Sequence, residues 1–565
     1  MDRRLCIGLD FGTDSVRAVL VDSADGQVLS SAVAEYERWR ERAYCDPRTN
    51  RFRQHPEDHF TALQQVVNEV MNTTEVVATE VKALCLDATG SSPIAVDAKG
   101  KPLTDHPEFA DNPNAMVILW KDHTATAEAA EINALANDWA GPAYTSFSGG
   151  VYSSEWFWAK MLHIHRIDPD VCAAAHTWME HCDLLTFSLV GGQDVDTAKR
   201  SRCAAGHKAM WHSSWGGYPA KEFLGELDPS LARVRATLPE ETYTSQTVAG
   251  RLCTTWAKRL GLTENVQVAV GLLDAHAGAV GAGIQAGTLV KVMGTSTCDM
   301  LVAPPEVVGK STVRGISGQV DGSILPGMIG FEAGQSAFGD VLDWFRRLLF
   351  WPLENLQQLH PELAGDIDRT KLLDRFLTVL GPQAEQLPDD PNAPLALDWL
   401  NGRRTPEANQ LLTGALANLS LGTDAAMLYR GLVESICFGA KRIADCFTSQ
   451  GVEIKSIMGI GGVANKSSYI MQMLADIHEM PIHVTAATQA GGLGAAMLAA
   501  TAAKIYPSIH EAIQHMGQGT RQTYYPDASR AAYYAARYRK YQALGQFVEE
   551  ALVPAEVKTH TNLKV

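Results

Sequence analysis

The sequence predicts an α/β protein built from two related domains. Its 565 residues and 46% hydrophobic content are enough to bury the cores of two or three ordinary domains. An apolar strand that ends in a Gly-Thr turn and resumes as a strand occurs twice, at Gly12-Thr13 and at Gly294-Thr295. Because each copy would open its own α/β unit, two related domains that face each other across a cleft form the simplest architecture.

The individual elements follow from apolar runs and turn residues. Strands are predicted on both sides of each Gly-Thr turn, and three more are predicted from apolar runs at 81–86, 267–273 and 456–460. The first of these three runs into Asp87 and the second into Asp274. Helices are predicted at 467–477 and 528–552, the latter with Tyr534, Tyr538 and Tyr541 in a stripe that docks on its own domain.

The domain limits are placed by the second Gly-Thr unit and by a glycine-rich stretch before it. Residues 278–287 suit both close helix packing and a hinge. We therefore expect an N-terminal domain at 1–286, a C-terminal domain at 287–505 and a helical extension at 506–565.

Composition excludes several classes of function. A net charge of −16 and a pI near 5.5 argue against nucleic acid or anionic lipid as a partner, since both require clustered cations. No apolar run approaches the roughly 20 residues that span a bilayer, and the first residues do not resemble a signal peptide. A cytoplasmic location is expected, with the ten scattered cysteines as reduced thiols.

The two Gly-Thr turns suggest phosphate binding. Glycine lets the backbone approach phosphate oxygens, and the hydroxyls of Thr13, Thr295 and Ser296 add donors. One such turn is ordinary, whereas a matched pair favours a function in phosphoryl transfer, which needs phosphate donors, a metal and a base near the acceptor hydroxyl.

Two aspartates are candidates for the metal and the base. Asp10 ends the first strand, where a buried carboxylate needs a cation such as Mg²⁺ or donors as partners; the alternative is a cap of its own turn. Asp274 follows a strand and precedes a helix of small residues, so it suits a general base at a cleft. A plain helix N-cap explains Asp274 equally well at this point.

Seven segments carry a resemblance to a known family. In chain order they are DATGSSP, NPNAMVILWKDHTA, GGVYSSEWFWAK, AAGHKAMWH, KVMGTSTCDM, GFEAGQSAFGD and DWLNGRRTP. The chain resembles the FGGY sugar kinases of the actin, hexokinase and heat-shock-chaperone ATPase superfamily, and specifically the bacterial members that phosphorylate L-ribulose. The resemblance covers almost the whole chain.

The resemblance implies two actin-like domains, each with a ribonuclease-H-like core, that close over ATP and a sugar. It makes Asp274 the general base, since this residue occupies the base position of a G-x-x-D-A-H segment. It places Mg²⁺ at Asp10. The residues that it assigns to ATP are Gly12 and Thr13 in the first hairpin, Gly294, Thr295 and Ser296 in the second, and Gly461, Gly462 and Asn465 in the adenosine segment.

The same resemblance implies a sugar site made of Ala95, Lys208, Asp274 and Glu332. Trp120 and Asp122 resemble a segment that lines sugar sites across the group. For Lys208 and Glu332, the alternative is a salt bridge on a solvated face. The first family signature is poorly kept at 153–160, in a way that the L-ribulose enzymes share, and the second, at 414–434, is expected to be structural.

The function implied is MgATP-dependent phosphorylation of L-ribulose at its terminal hydroxyl, in arabinose breakdown. The nearest alternative is a kinase of the same family that acts on xylulose, glycerol or another polyol. An actin-like or chaperone-like ATPase, or a silent sugar-responsive regulator, would belong to a different class. The acidic composition does not decide between a monomer and a homodimer.

Overall fold

The computed structural model describes residues 3–355 and 369–552. Within them the chain divides into two compact units. Of the described residues, unit 1 contains 3–286, 300–332 and 485–519, and unit 2 contains 287–299, 333–355, 369–484 and 520–552.

The described residues form strands and helices in alternation, as the predicted α/β class requires. The strands are β1 (Leu5–Phe11), β2 (Ser15–Asp22), β3 (Val28–Glu35), β4 (Cys45–Asp46), β5 (Arg51–Gln54), β6 (Val81–Ala88), β7 (Pro93–Val96), β8 (Val117–Ile118), β9 (Thr177–Glu180), β10 (Val248–Arg251), β11 (Gln267–Ala269), β12 (Leu272–Leu273), β13 (Thr288–Met293), β14 (Thr297–Ala303), β15 (Gly318–Asp321), β16 (Ile329–Ala333), β17 (Leu395–Leu397), β18 (Ala415–Ala417), β19 (Ser456–Ile460), β20 (Ile482–Thr485) and β21 (Thr520–Tyr524).

The α-helices are α1 (Glu37–Arg40), α2 (Pro56–Asn72), α3 (Thr126–Asp138), α4 (Phe157–Ile167), α5 (Pro169–Ala174), α6 (His181–Leu189), α7 (Arg202–Lys208), α8 (Lys221–Leu227), α9 (Pro229–Arg235), α10 (Thr254–Leu260), α11 (Asp274–Gly281), α12 (Pro305–Val308), α13 (Gly339–Glu354), α14 (Arg369–Glu385), α15 (Ala425–Thr448), α16 (Gly462–Lys466), α17 (Ser468–His478), α18 (Ala490–Ala502), α19 (Ile509–Met516) and α20 (Ala531–Phe547). Among the described residues, no helix has both the length and the apolar character needed to cross a bilayer.

The central sheet of unit 1 has the strand order β10-β11-β6-β1-β2-β3. β1, β2 and β3 form antiparallel hairpins, whereas β6 runs parallel to β1 and β11 parallel to β6. Asp10 on β1 is paired in register with Arg17 on β2 and with Asp87 on β6. β1 and β6 are apolar along almost their whole length because both faces of these strands are buried.

One predicted strand is wrong in its extent. The run at 267–273 divides into β11 and β12, both of which pair in parallel with β6. Gln267 pairs with Ala83 and Leu272 with Asp87, which leaves one extra residue in the segment that contains β11 and β12. A bulge of this kind bends a strand, and it ends the strand pairing directly before Asp274.

Glycines allow α18 to pack closely against α11 and the central sheet. A Cβ atom at Gly281 would lie 2.0 Å from the carbonyl oxygen of Ala490, and one at Gly8 would lie 1.8 Å from that of Gly492. No larger residue fits at either position without moving the backbone. The predicted packing role of the stretch 278–287 is therefore confirmed at Gly281, and its role as a hinge stays a prediction.

In unit 2, strands β13, β19 and β20 run parallel and β21 follows β20. Val292 pairs with Ile460, so the turns that follow β13 and β19 lie at neighbouring strand ends. Gly461 has a φ of +95°, and a Cβ atom there would lie 2.6 Å from the carbonyl oxygen of Met293. Glycine is required at this position for both reasons.

The C-terminal helix docks on its own unit, as the tyrosine stripe predicts. Its predicted span begins as a 3₁₀ turn, continues as α20 and ends as a π-helical turn. Tyr541 is fully buried, and its hydroxyl donates to Oδ1 of Asp398 at 2.7 Å. Arg537 is also fully buried, and its guanidinium donates to Oε2 of Glu434 at 2.6 and 2.9 Å. Arg430 donates to the other oxygen of Glu434 at 3.3 Å, so the second signature region has a structural role.

We expect Arg537→Ala to lower the free energy of unfolding by about 3 to 5 kcal/mol, because it leaves the carboxylate of Glu434 buried with too little positive charge. Urea unfolding of the full chain measures this change. Arg539→Ala, an exposed position on the same helix, is the matched control and should change stability by less than about 0.5 kcal/mol. Equal effects of the two substitutions would contradict the assigned role of the buried pair.

Candidate active site

Three carboxylates lie at the carboxyl ends of neighbouring strands in unit 1. Asp10 is near the end of β1, Asp87 near the end of β6, and Asp274 directly follows β12. Because parallel strands present their carboxyl ends at one edge of a sheet, the topology brings these three side chains together. The sequence predicted roles for Asp10 and Asp274 but gave none to Asp87. An acidic residue inside the apolar run of β6 was the signal that could have identified it.

Asp10 lies between the sheet and the start of α18. Burial raises the pKa of Asp10, and the charge of Arg17 on the adjacent strand opposes that rise. A Cβ atom at Gly491 in the first turn of α18 would lie 2.8 Å from Oδ2 of Asp10. Glycine at this position therefore leaves the space that the carboxylate occupies.

Asp87 is fully buried. Neither of its oxygens accepts a hydrogen bond from any group in the part of the chain that the structure describes. Burial raises the pKa of Asp87 well above its usual range, and the negative charges of Asp10 and Asp274 raise it further. A buried carboxyl group without donors is costly, so Asp87 requires a proton or a cation as its partner.

Asp274 is the first residue of α11. Its Oδ1 accepts a hydrogen bond from the amide of Ala275 at 2.6 Å, but Leu273 is the N-cap residue and no side chain caps the helix, so the N-cap interpretation is wrong in its detail. Burial is the main cause that raises the pKa of Asp274 to about 7, and the charge of Asp10 adds to it. A carboxylate that titrates near neutral pH is also suited to general base catalysis, so the hydrogen bond from Ala275 and a catalytic role are compatible.

Lys208 and Glu332 form a buried ion pair near Asp274. The Nζ atom of Lys208 lies 2.6 Å from Oε1 and 2.9 Å from Oε2 of Glu332. Lys208 is 3% and Glu332 is 6% exposed, so the alternative of a salt bridge on a solvated face is wrong. Burial raises the pKa of Glu332, but Lys208, His207 and His276 outweigh it and hold that pKa at about 2.

Two buried histidines accompany this ion pair, and the sequence analysis missed them. Nδ1 of His207 and Nε2 of His276 each lie 3.6 Å from Oε2 of Glu332. The second ring nitrogen of His207 forms a hydrogen bond with the hydroxyl of Ser323 at 2.9 Å, and that of His276 forms one with the thiol of Cys203 at 2.8 Å. Burial lowers the pKa of both rings, that of His276 to about 4, so both are neutral at pH 7.

The cluster of His207, His276 and Glu332 also has the composition of a metal site. Its potential ligand atoms lie within 4.8 Å of one another. However, the ammonium group of Lys208 already contacts both oxygens of Glu332. This cation supplies the positive charge that a metal would bring, so the cluster is better suited to binding polar neutral groups.

The strand-end carboxylates fit a hard cation. Oxygen donors are those that Mg²⁺ prefers, and Asp87 has no hydrogen-bond donor among the described residues. Of the groups near this edge of the sheet, Asp10, Asp87 and Asp274 are the ones that could hold such an ion.

The remaining predicted sugar residues lie in unit 1 in different settings. Trp120 donates from Nε1 to Oγ1 of Thr13 at 3.0 Å, which connects the indole to the first Gly-Thr turn. Ala95 is fully buried on β7. Asp122 is fully buried, and both its oxygens accept hydrogen bonds from protein groups, including the amide of Phe52 at 2.7 Å and the hydroxyl of Thr124 at 2.6 Å.

The predicted nucleotide residues of unit 2 lie on neighbouring strand ends. The backbone amide of Gly294 donates a hydrogen bond to the carbonyl oxygen of Ser296 at 3.0 Å, which closes the turn. The carbonyl oxygen of Thr295 accepts a hydrogen bond from the amide of Phe338 at 2.7 Å. Gly462 begins α16, and the space around its Cα is open. Asn465 is exposed, and its Oδ1 accepts from Arg521 at 2.8 Å.

Comparison with known proteins identifies the family. Residues 5–281 match the N-terminal domain, and residues 289–503 the C-terminal domain, of the FGGY family of carbohydrate kinases. A ribulokinase from Vibrio parahaemolyticus is 45% identical over 96% of both chains. A ribulokinase from Halalkalibacterium halodurans is 35% identical over 97% of this chain and 95% of the relative.

Solved structures share the fold at lower identity. The xylulose kinase of Rhodospirillum rubrum superposes with a TM-score of 0.76 at 20% identity, over 97% of this chain and 99% of the other. The glycerol kinase of Plasmodium falciparum, solved with ADP, superposes with a TM-score of 0.72 at 16% identity, over 96% and 98% of the two chains.

The fold and the strand-end carboxylates define a sugar kinase of the actin-like ATPase fold. The chain belongs to the FGGY family of carbohydrate kinases. The expected fold class and kinase activity are thus confirmed.

We expect Glu332→Gln to destabilise the protein at pH 7 by roughly 3 kcal/mol, since the pKa of Glu332 is about 2 in the folded chain and near 4.5 when unfolded. Because the folded pKa is the lower one, this contribution is complete above pH 4.5 and is lost as the pH falls toward 2. Urea unfolding of both proteins between pH 7 and pH 3.5 should show the difference shrinking. The exposed Glu306→Gln is the control, and a difference independent of pH would contradict the assignment.

Proposed function

We propose that this carbohydrate kinase transfers the γ-phosphoryl group of ATP to the 5-hydroxyl of L-ribulose, giving L-ribulose 5-phosphate and ADP in L-arabinose catabolism. The observation that carries the proposal is the juxtaposition of Asp274, with its pKa raised to about 7, and the buried Lys208–Glu332 pair. The two ribulokinases support ribulose as the acceptor, since they align with nearly the whole chain.

Asp274 acts as the general base. Its carboxylate accepts the proton of the sugar hydroxyl while that oxygen forms a bond to the γ-phosphorus and the bond from that phosphorus to the β-phosphate oxygen breaks. Burial keeps the carboxylate basic enough for this role. The hydrogen bond from Ala275 to Oδ1 fixes the carboxyl plane and leaves Oδ2 for the substrate.

The sugar is held by polar groups with fixed positions. Lys208 and Glu332 orient each other and would bind hydroxyl and carbonyl groups of the ketopentose, each worth roughly 1 to 3 kcal/mol. Ala95 would contribute a backbone group to sugar binding, and the indole of Trp120 would line the sugar site next to the first Gly-Thr turn. We assign Asp122 a positioning role, because its oxygens hold the segment that carries Trp120.

ATP is the phosphoryl donor of the family. Gly12 and Thr13 in one hairpin, with Gly294, Thr295 and Ser296 in the other, would supply amides and hydroxyls to its phosphates. Gly461, Gly462 and Asn465 would contact the adenosine.

Magnesium is the metal that we propose, with Asp10 as a ligand. When bound, it neutralises charge on the phosphate oxygens. Its fit rests on the oxygen donors at the strand ends and on the unpartnered carboxyl group of Asp87.

The domain limits 1–286, 287–505 and 506–565, the cytoplasmic location and a homodimer stay predictions. Residues 1–2, 356–368 and 553–565 of those ranges lie outside the described part of the chain.

We expect the purified full chain with MgATP to consume ATP rapidly with L-ribulose and slowly with no acceptor. The panel contains D-ribulose, D-xylulose, L-xylulose and glycerol, and ADP release is the readout. A preference for xylulose or glycerol would show that the proposed substrate is wrong and that the kinase activity is right. Equal hydrolysis without sugar would favour an actin-like or chaperone-like ATPase.

Asp274→Asn should reduce kcat by at least about 10²-fold while sugar affinity stays within about tenfold, because the amide keeps the shape but cannot accept the proton. Steady-state kinetics and sugar binding by calorimetry measure the two quantities. Asp170→Asn, an exposed position in unit 1, should leave both unchanged. Near-normal turnover of Asp274→Asn would remove this residue from the role of base.

A further inference from the structure

Asp87 lies among the residues of the proposed reaction, and the proposed function names only Asp10 as a ligand of the metal. Resting on the proposed function, we propose that Asp87 is a second carboxylate ligand of the nucleotide-bound magnesium ion, which it shares with Asp10.

The first argument is the isolation of Asp87 from positive partners. It is fully buried, and neither oxygen has a hydrogen-bond donor among the described residues. The charged groups that act on it are Asp10 and Asp274, both acidic, and it shares a side-chain hydrogen bond with the carboxyl group of Asp10. By contrast, the buried Asp122 accepts several hydrogen bonds from protein groups. Two neighbouring carboxyl groups, one of which has no partner of opposite charge among the described residues, are expected where an external cation completes the site.

The second argument is the register of the sheet. Asp10 and Asp87 are direct partners in the parallel pair β1 and β6. Neighbouring strands lie about 4.8 Å apart, and paired residues project to the same face of the sheet. The two carboxyl groups therefore lie side by side at the strand ends, next to the first Gly-Thr turn, where the phosphates of ATP are proposed to bind.

The third argument is the coordination that magnesium uses in kinases. The ion typically takes one or two protein carboxylates, and phosphate oxygens and waters fill the other positions. Asp10 and Asp87 supply that number and leave Asp274 available to the sugar hydroxyl. The site would thus divide its three carboxylates between metal binding and proton transfer.

The competing explanation is that Asp87 holds a proton shared with Asp10 and only fills space. Asparagine separates the two explanations. It matches aspartic acid in size and can donate a hydrogen bond, but it carries no charge and is a poor magnesium ligand.

The experiment measures Mn²⁺ binding by electron paramagnetic resonance, with the full chain and saturating ADP. We expect Asp87→Asn to weaken Mn²⁺ at least tenfold, as Asp10→Asn should, while the affinity for ADP without metal stays within threefold of the wild type. Cys85→Ala, buried on the same strand, is the control and should bind Mn²⁺ normally. An affinity of Asp87→Asn within twofold of the wild type would overturn the proposal.

A second variant covers the case in which Asp87→Asn is poorly folded. Thiolate ligands favour soft metals over Mg²⁺, so Asp87→Cys should lose the increase in ADP affinity that Mg²⁺ gives and regain it with Cd²⁺. The wild type in Cd²⁺ controls for the ten native cysteines. Failure of Cd²⁺ to restore any metal-dependent increase would reject Asp87 as a ligand.

These results are separate from the test of the proposed function. If the wild type ignores L-ribulose but Asp87→Asn loses Mn²⁺, the substrate is wrong and the metal ligand stands. If the wild type phosphorylates L-ribulose but Asp87→Asn binds Mn²⁺ normally, only the role of Asp87 fails.

Discussion

The clustering of three carboxyl groups at the ends of paired parallel strands, Asp87 fully buried and Asp10 and Asp274 partly buried, is the constraint on which the rest of the site depends. Removing a carboxylate from water is costly unless charges or donors compensate. In this chain the three carboxyl groups receive different amounts of compensation. Arg17 opposes the effect of burial at Asp10, a single amide contacts Asp274, and Asp87 has no donor among the described residues. The three carboxyl groups therefore differ in how strongly their surroundings stabilise the ionised form.

The packing of unit 1 maintains this arrangement. Close contact of α18 with the sheet through Gly8 and with α11 through Gly281 fixes the helix that begins beside Asp10. The bulge between β11 and β12 sets where β12 ends and therefore where Asp274 begins its helix. These are backbone contacts, so they hold the carboxylates without using polar side chains that would neutralise them.

At the predicted sugar residues Lys208 and Glu332 the opposite holds, because the buried carboxylate has a partner of opposite charge. Glu332 faces two neutral imidazoles and receives an ammonium group at 2.6 Å, and this cation keeps it ionised over the whole range of physiological pH. Asp274 lies near the same groups, and its pKa is about 7. Two acids in one site thus have pKa values that differ by several units, and this separation suits the one to binding and the other to the proposed proton transfer.

The sequence by itself determined the α/β class, the paired Gly-Thr turns, most strand positions, the docked tyrosine helix and, through its seven segments, the family. These are local patterns, and local patterns fix backbone conformation and hydrophobic faces. The tertiary structure alone decided the contacts between residues distant in the chain: the pairing of Asp10 with Asp87, the ion pair of Lys208 with Glu332, and the neutral histidines beside it. Burial and distance set these charges, and neither quantity can be obtained from the order of residues before the strands are paired.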